Sequence, residues 1–254
     1  MIKIIMHGCN GKMGQMISGL VAADPETEIA AGVDARDDGH NPYPVFTDIR
    51  ECDVEADCLI DFSAAPAVDR MLDYCGDRQL PCVLCTTGLS EEQLLKAKAV
   101  SAKTAVLKSA NMSLGINLLL KMLKKAAGVL APAGFDMEIV EKHHKLKVDA
   151  PSGTALALAD SINEELGNEY EYVYDRSARR EKRPVKEIGI SAVRGGTIVG
   201  DHDVIFAGED EVITFSHTAY SKAVFAKGAV QAAKFLAGRP AGMYDMSDVI
   251  GSQL

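Results

Sequence analysis

Apolar residues run together at positions 2–6 (IKIIM) and stop at Gly8, the pattern of a strand buried on both faces. Beyond Gly11 they fall at Met13, Met16, Ile17, Leu20 and Val21, spacings that place them along one side of a helix ending near Asp24-Pro25. Residues 28–33 read as the next strand, closing at Asp34. The alternation continues with a strand at 58–62, a helix from near Pro66 and a strand at 82–85 that ends in Thr86-Thr87-Gly88. Ser90 caps the following helix, with Gln93 completing a capping box, and 104–107 is a further strand. Strands alternating with helices in this way predict a parallel, doubly wound α/β sheet.

Near Asn111 the pattern changes. A long helix is expected over 115–130, an alternating strand over 135–141 and a helix from Gly153 to Leu166. Strand-like runs follow at 188–193, 203–207 and 212–218, separated by the turns Arg194-Gly195-Gly196 and Gly208-Glu209-Asp210. Few helices interrupt them, so this second sheet is expected to be mixed or antiparallel, with a face or edge that needs covering. A helix from Ser221 to Leu236 is expected to pack back on the first domain.

The 254 residues are 47% hydrophobic and 25% charged, ordinary for a globular protein, and contain no apolar run long enough to span a membrane. The apolar start is too short for a signal peptide, which reads as a cytoplasmic protein. Lys and Arg total 27 against 36 Asp and Glu, a formal net charge of -9, which argues against nucleic acid as a partner. The basic run from Arg176 to Lys186 contains Glu181 and no aromatic residue, and reads as a solvated loop. The cysteines are expected to be reduced and mostly buried, and no metal site is expected.

The turn Gly8-Cys9-Asn10-Gly11-Lys12-Met13-Gly14 follows a strand and opens a helix. Small residues let backbone approach a pyrophosphate, and the free N–H groups of a helix N-terminus hold its charge. Asn10 occupies the second glycine position of the usual fingerprint, where a left-handed backbone is still accessible. Asp34 lies 20 residues after Gly14, placed to accept hydrogen bonds from ribose hydroxyls. These features predict a Rossmann-type dinucleotide-binding domain from residues 1–113 and 222–254. A smaller mixed-sheet α/β domain, 114–221, is inserted before the C-terminal helix. The segments Thr86-Thr87-Gly88 and Ser109-Ala110-Asn111 also follow strands, so they are either nicotinamide-lining or plain loops.

A second constellation is Glu141-Lys142-His143-His144-Lys145-Leu146-Lys147-Val148-Asp149-Ala150-Pro151-Ser152-Gly153-Thr154, a basic island in an acidic chain. Histidine moves protons near neutral pH, and lysine supplies positive charge. Ser152 can cap the next helix, whose N–H groups near Gly153 and Thr154 suit a carboxylate. The alternative is a solvated basic loop, with Lys142 and Lys145 facing solvent.

Together the glycine turn and the motif Glu141-x-His143-His144-x-x-Lys147-x-Asp149-x-Pro151-Ser152-Gly153-Thr154-Ala155 resemble the two signatures of the dihydrodipicolinate reductase family. Cys85-Thr86-Thr87-Gly88, Ala110-Asn111-Met112-Ser113, Arg194-Gly195-Gly196 and Tyr244-Asp245-Met246 fit as well. The resemblance implies NADH- or NADPH-dependent reduction of 4-hydroxy-tetrahydrodipicolinate, a small dicarboxylate, with loss of water. It also implies a homotetramer built by the inserted, substrate-binding domain. By matching position, His143 would be the proton donor and Lys147 its charged partner, while His144, Gly153 and Thr154 hold substrate. Gly8, Cys9, Asn10, Gly11, Lys12, Met13, Asp34, Cys85, Thr86, Thr87, Ser109, Ala110, Asn111 and Met112 would line the coenzyme. Cys85 stands where the family usually has Gly, Met112 where Phe is common and Lys222 where Arg is frequent. Other readings are an amino-acid or semialdehyde dehydrogenase and a non-catalytic dinucleotide sensor.

Overall fold

In the computed structural model, which describes residues 1–252, the first apolar run is a strand, β1 (Ile2–His7), with Ile4, Ile5 and Met6 wholly buried. It leads to α1 (Lys12–Ala22), β2 (Thr27–Val33), β3 (Val45–Phe46), a 3₁₀ turn at Ile49–Glu51, and β4 (Cys58–Asp61). Then come α2 (Ala65–Arg78), β5 (Cys82–Leu84), α3 (Glu91–Val100) and β6 (Ala105–Leu107). The expected capping box opens α3: Ser90 Oγ accepts from the Gln93 N–H and Gln93 Oε1 accepts from the Ser90 N–H.

The next elements are α4 (Leu114–Leu130), β7 (Asp136–His143), α5 (Gly153–Glu165), β8 (Glu171–Val173), β9 (Glu187–Arg194), β10 (Gly200–Ala207) and β11 (Val212–Ala219). The chain ends with α6 (Ala223–Leu236), β12 (Gly242–Tyr244) and α7 (Met246–Gly251). It divides into two compact units: Met1–Ser113 joined by the chain from Ala223 onward, and Leu114–Lys222.

In unit 1 the strand order is β12-β6-β5-β4-β1-β2-β3, all neighbours parallel. From β1 the chain winds one way to β2 and β3 and the other way through β4 to β6. A switch point therefore opens at the carboxyl ends of β1 and β4, where such sheets bind ligands. On one face α2 and α3 bury Val68, Met71, Leu72, Ala97 and Val100 against Ile5, Leu59 and Val106. The returning helix α6 packs with α1 and against β4, β5 and β6, as the periodicity predicts.

In unit 2 the order is β11-β10-β7-β9-β8, with β7, β9 and β8 parallel to one another and β10 antiparallel to both β7 and β11. The sheet is therefore mixed. Helices α4 and α5 cover one face, where Leu119, Leu123, Leu158 and Ile162 meet Met137, Ile139, Ile190, Val204 and Phe206. Strand β7 runs two residues beyond its expected end at 141, because its alternation of buried positions continues through Glu141 and His143. Strands β3, β8 and β12 are too short to carry a legible period. Cys82 and Cys85 stand in Cys-x-x-Cys spacing; both are free, as are the other cysteines.

Candidate active site

Strand β7 alternates, so Met137, Ile139, Glu141 and His143 share the helix-covered face while Lys142 points the other way, to Asp203 at 3.1 Å. At one end of this face the positions are apolar; at the other they are Glu141 and His143. Neighbouring strands supply the rest: His202 of β10 lies opposite Glu141, and Arg194 of β9 lies beside His143. A fully buried carboxylate costs several kcal/mol unless it is paired and hydrogen-bonded. Glu141 meets that demand completely. His143 Nδ1 lies 2.6 Å from Oε2, and Arg194 forks onto both oxygens, Nη1 to Oε2 at 2.8 Å and Nη2 to Oε1 at 2.7 Å. The Ser152 N–H donates to Oε1 at 2.9 Å. Burial alone would raise Glu141, but Arg194, His143 and the Ser152 N–H hold it below the usual carboxylate range. An ionised carboxylate only accepts, so His143 Nδ1 carries the proton of that bond and Nε2 is left for other partners.

Behind this pair, His202 packs edge-on against His143, ring centroids 5.2 Å apart, with Nε2 3.1 Å from Ser152 Oγ. Burial, with His143 beside it, pushes His202 down to about 4. Ser152 Oγ also accepts from the Ala155 N–H, capping α5 as expected. The connection from His143 to α5 is tight: the Lys147 N–H donates to the His144 carbonyl at 3.1 Å, and Arg194 Nη2 donates to the Asp149 carbonyl. Lys147 Nζ lies 2.8 Å from Asp149 Oδ1, both on the loop, while Leu146 and Val148 are exposed. His144 is half-buried, its Nδ1 without a hydrogen-bond partner among the described residues. Unit 2 thus brings His143, His144, Lys147, Gly153 and Thr154 together on one strand end, one loop and one helix start. Sequence reasoning missed Glu141, Arg194 and His202 as a connected set. The available signal was a glutamate continuing the buried parity of β7.

The basic run 176–186 is absorbed within unit 2. Arg176 pairs with the buried Glu187, Arg183 reaches Asp136 and Glu138, and Lys186 pairs with Glu169.

In unit 1 the glycine turn joins β1 to α1. Gly8 has φ +83, and a Cβ there would lie 2.6 Å from the Phe62 carbonyl oxygen; a Cβ on Gly14 would lie 2.2 Å from the Gly8 carbonyl oxygen. Only glycine permits this approach of α1 to the strand edge. Gly11 caps α1 with no side-chain hydrogen bond, so the first helical N–H groups are open to an anion. A cleft of about 820 Å³ is lined by Gly8, Asn10, Gly11, Asp34, Ala35, Arg36, Ser63 and Arg70, among others. Asp34 fixes the turn, accepting from the Asn10 N–H at 2.8 Å and the Ala35 N–H at 2.7 Å, and a carboxylate has further lone pairs to offer. Cys9 is wholly buried, its thiol pushed up to about 11 by burial and by Asp34. The cleft lining thus includes four of the expected coenzyme residues, together with Ser63 and Arg70, which the sequence reading did not single out. Cys85–Thr87 and Ser109–Met112 follow β5 and β6 on the same carboxyl edge, Thr86 and Met112 being buried. Among the described residues, no cluster of metal-binding side chains occurs.

Comparison with known proteins gives concordant matches. The model described as "Dihydrodipicolinate reductase, N-terminus" matches residues 2–112, and that described as "Dihydrodipicolinate reductase, C-terminus" matches 115–250. A 4-hydroxy-tetrahydrodipicolinate reductase of Caldanaerobacter subterraneus is 52% identical over 250 residues, covering 98% of each chain. That of Clostridium novyi is 49% identical over 253 residues, covering 100% of each. Among solved structures, a dipicolinate-bound dihydrodipicolinate reductase from Paenisporosarcina sp. TG-14 superposes with a TM-score of 0.78 at 25% identity, covering 96% of this chain and 97% of that one.

Proposed function

The chain belongs to the dihydrodipicolinate reductase family, and on that premise we propose that it reduces 4-hydroxy-tetrahydrodipicolinate to tetrahydrodipicolinate, with loss of water, at the expense of NADH or NADPH. The step belongs to lysine and diaminopimelate biosynthesis. The observation that carries the site assignment is the Glu141-anchored His143 at the end of β7, beside a loop lysine and the capped start of α5. A dehydrogenase of another substrate or a dinucleotide sensor has no use for that set, and the family match favours neither.

The glycine turn fits a dinucleotide: its cradle excludes any Cβ and the start of α1 is uncapped. Gly8, Asn10, Gly11 and Asp34 would hold the coenzyme, with Lys12 and Met13 at the helix start and Cys9 shaping the turn from within. Cys85, Thr86, Thr87, Ser109, Ala110, Asn111 and Met112 are assigned to its nicotinamide half. When bound, the coenzyme supplies a hydride to the conjugated imine left by loss of water. The enamine so formed must gain a proton, and His143 Nε2–H is the group we assign to deliver it, its Nδ1–H staying on Glu141 throughout. Lys147 neutralises developing negative charge and one substrate carboxylate. His144, Gly153 and Thr154 hold the carboxylates, the last two as N–H donors at a helix start.

The sheet face turned away from α4 and α5 carries Val140, Val193, Ile205 and Val212, half-buried or exposed. That supports the homotetramer we propose, and a monomer in light scattering at micromolar concentration would count against it. Among the described residues no helix is long and apolar enough to cross a membrane. The free thiols and the biosynthetic chemistry support a cytoplasmic location. The function is tested by adding reduced coenzyme and the condensation product of pyruvate and aspartate semialdehyde. Coenzyme absorbance must fall rapidly and only when that product is present.

A further inference from the structure

We infer that Glu141 and Arg194 are positioning residues of the reaction: Arg194 locks Glu141, and Glu141 sets which nitrogen of His143 can release a proton. The inference rests on the assignment of His143 as proton donor. After it delivers the Nε2 proton, His143 must be neutral with its remaining proton on Nδ1. That tautomer is favoured only if the partner of Nδ1 accepts and never donates. Glu141 satisfies this in full. Every other contact to its carboxylate comes from a donor: two guanidinium N–H groups and the Ser152 N–H. A carboxylate in that setting cannot turn, and it cannot take up the proton it holds in place.

The surroundings remove alternatives for the ring. Arg194 is fixed at its base by β9, which pairs with β7 in register at His143, and the Gly195 N–H donates to the His143 carbonyl at 2.9 Å. On the far side of the imidazole lies Gly200, where a Cβ would stand 3.1 Å from His143 Nε2. A side chain at position 200 would therefore crowd Nε2, and glycine leaves the space before it clear, while His202 closes the ring's edge. The ring has one seat, and Glu141 decides its tautomer.

Replacing Glu141 by Gln puts an amide where two sets of donors converge. One orientation sets the NH₂ against Arg194 Nη1 and His143 Nδ1; the other sets it against the Ser152 N–H and Arg194 Nη2. The first relieves itself by donating to His143 Nδ1, which moves the imidazole proton to Nε2 and strands it there. Glu141→Gln is expected to lower kcat at least about tenfold, as tautomer errors do in other histidine–carboxylate pairs. KM for the dicarboxylate should stay within about twofold and NADH affinity should be unchanged. The solvent deuterium isotope effect on kcat should rise, because proton delivery becomes slower than the steps that limit the native enzyme. Arg194→Lys keeps the charge but loses the fork, and should give the same signature in weaker form. Nitrogen-15 spectra of the neutral ring should report Nδ1–H for His143 in the native protein and Nε2–H in Glu141→Gln.

The two hypotheses fail separately. If His143→Gln keeps native kcat, the donor assignment falls and this inference with it. If His143→Gln is inactive while Glu141→Gln and Arg194→Lys keep the native kcat and isotope effect, the donor assignment stands and the inference is overturned. If Glu141→Gln does not fold, Arg194→Lys decides: an unchanged isotope effect overturns the inference, and a raised one supports it.

Discussion

Each unit buries a histidine against a carboxylate, and the two pairs are wired differently. In unit 1, His7 Nδ1 lies 2.7 Å from Asp61 Oδ1 at the ends of β1 and β4, and the other side-chain donor to that oxygen is the Ser63 hydroxyl. Burial pushes Asp61 up, and His7, Ser63 and Thr86 more than offset it, leaving the carboxyl below its ordinary value. In unit 2, Glu141 is held by an arginine fork and a backbone N–H as well as by His143. The first pair adjoins a turn that offers backbone N–H groups; the second holds the side chain to which we assign proton delivery. A site made of backbone tolerates side-chain change but no added Cβ, whereas a site made of side chains fails when one proton or charge is misplaced.

The sharpest way to break this contrast is His143→Gln. Loss of a positioned acid should lower kcat by roughly 10²–10⁴ with little change in KM. Lys147→Ala should lower kcat and raise KM together, because on the proposed assignment the ammonium also neutralises a substrate carboxylate. Steady-state kinetics decide the matter: a His143→Gln enzyme with more than about a third of native kcat would send the search for the donor to His144 or a bound water.

The corresponding break in unit 1 is Gly14→Ala. The new Cβ would sit 2.2 Å from the Gly8 carbonyl oxygen, so the turn must open. Coenzyme affinity should fall roughly 10–10²-fold, the worth of a hydrogen bond to a charged phosphate lost from the turn, with kcat at saturating coenzyme much less affected. A fluorescence titration with NADH measures it. Native affinity in this variant would refute the backbone-cradle reading.

A smaller effect separates the units by pH. His202 in unit 2 is depressed from 6.5 to about 4 by burial, so between those values the unfolded chain binds a proton that the native one refuses. That contribution is fully present above pH 6.5 and is lost as pH falls toward 4. It amounts to roughly 2 kcal/mol by pH 5 from the size of the shift. Glu141, held below 4.5, adds a loss of the same sign at still lower pH. Urea midpoints measured from pH 8 to pH 5 should therefore fall, and His202→Asn should flatten the slope. An unchanged slope in that variant would place the pH sensitivity elsewhere.

How much of this was legible follows from the same contrast. The turn at Gly8–Gly14, the capping box at Ser90 and the βα alternation are local, so spacing along the chain reveals them. The return of α6 to unit 1 was readable because an apolar helical stripe must be buried somewhere. Glu141, Arg194 and His202 come from β7, β9 and β10, and their meeting depends on a register that no local pattern encodes. Arg194 was visible only as part of a glycine-rich turn. The basic run 176–186 reads as a solvated loop in sequence, and only the sheet edge shows that Glu187 takes up Arg176 and that Asp136 and Glu138 take up Arg183.

The smallest expected effect concerns which coenzyme unit 1 takes. Asp34 at the end of β2 favours NADH, because a carboxylate repels a 2′-phosphate. Its oxygens already accept from the Asn10 and Ala35 N–H groups, so it is fixed in the cleft and cannot swing aside for the phosphate. Arg36 is the counterweight. Its side chain is 79% exposed and its partner is Asp38 at 2.8 Å, a surface pair worth little and easily exchanged for a phosphate. Fixed repulsion and mobile attraction nearly cancel, so both coenzymes should work. NADH should be no worse than NADPH by more than about tenfold in kcat/KM, or about 1.4 kcal/mol. Arg36→Ala should lower kcat/KM for NADPH and leave that for NADH nearly unchanged, since only the phosphate needs the guanidinium. A strong native preference for NADPH would mean that Asp34 does not face the ribose, and an equal loss with both coenzymes in Arg36→Ala would remove Arg36 from phosphate recognition.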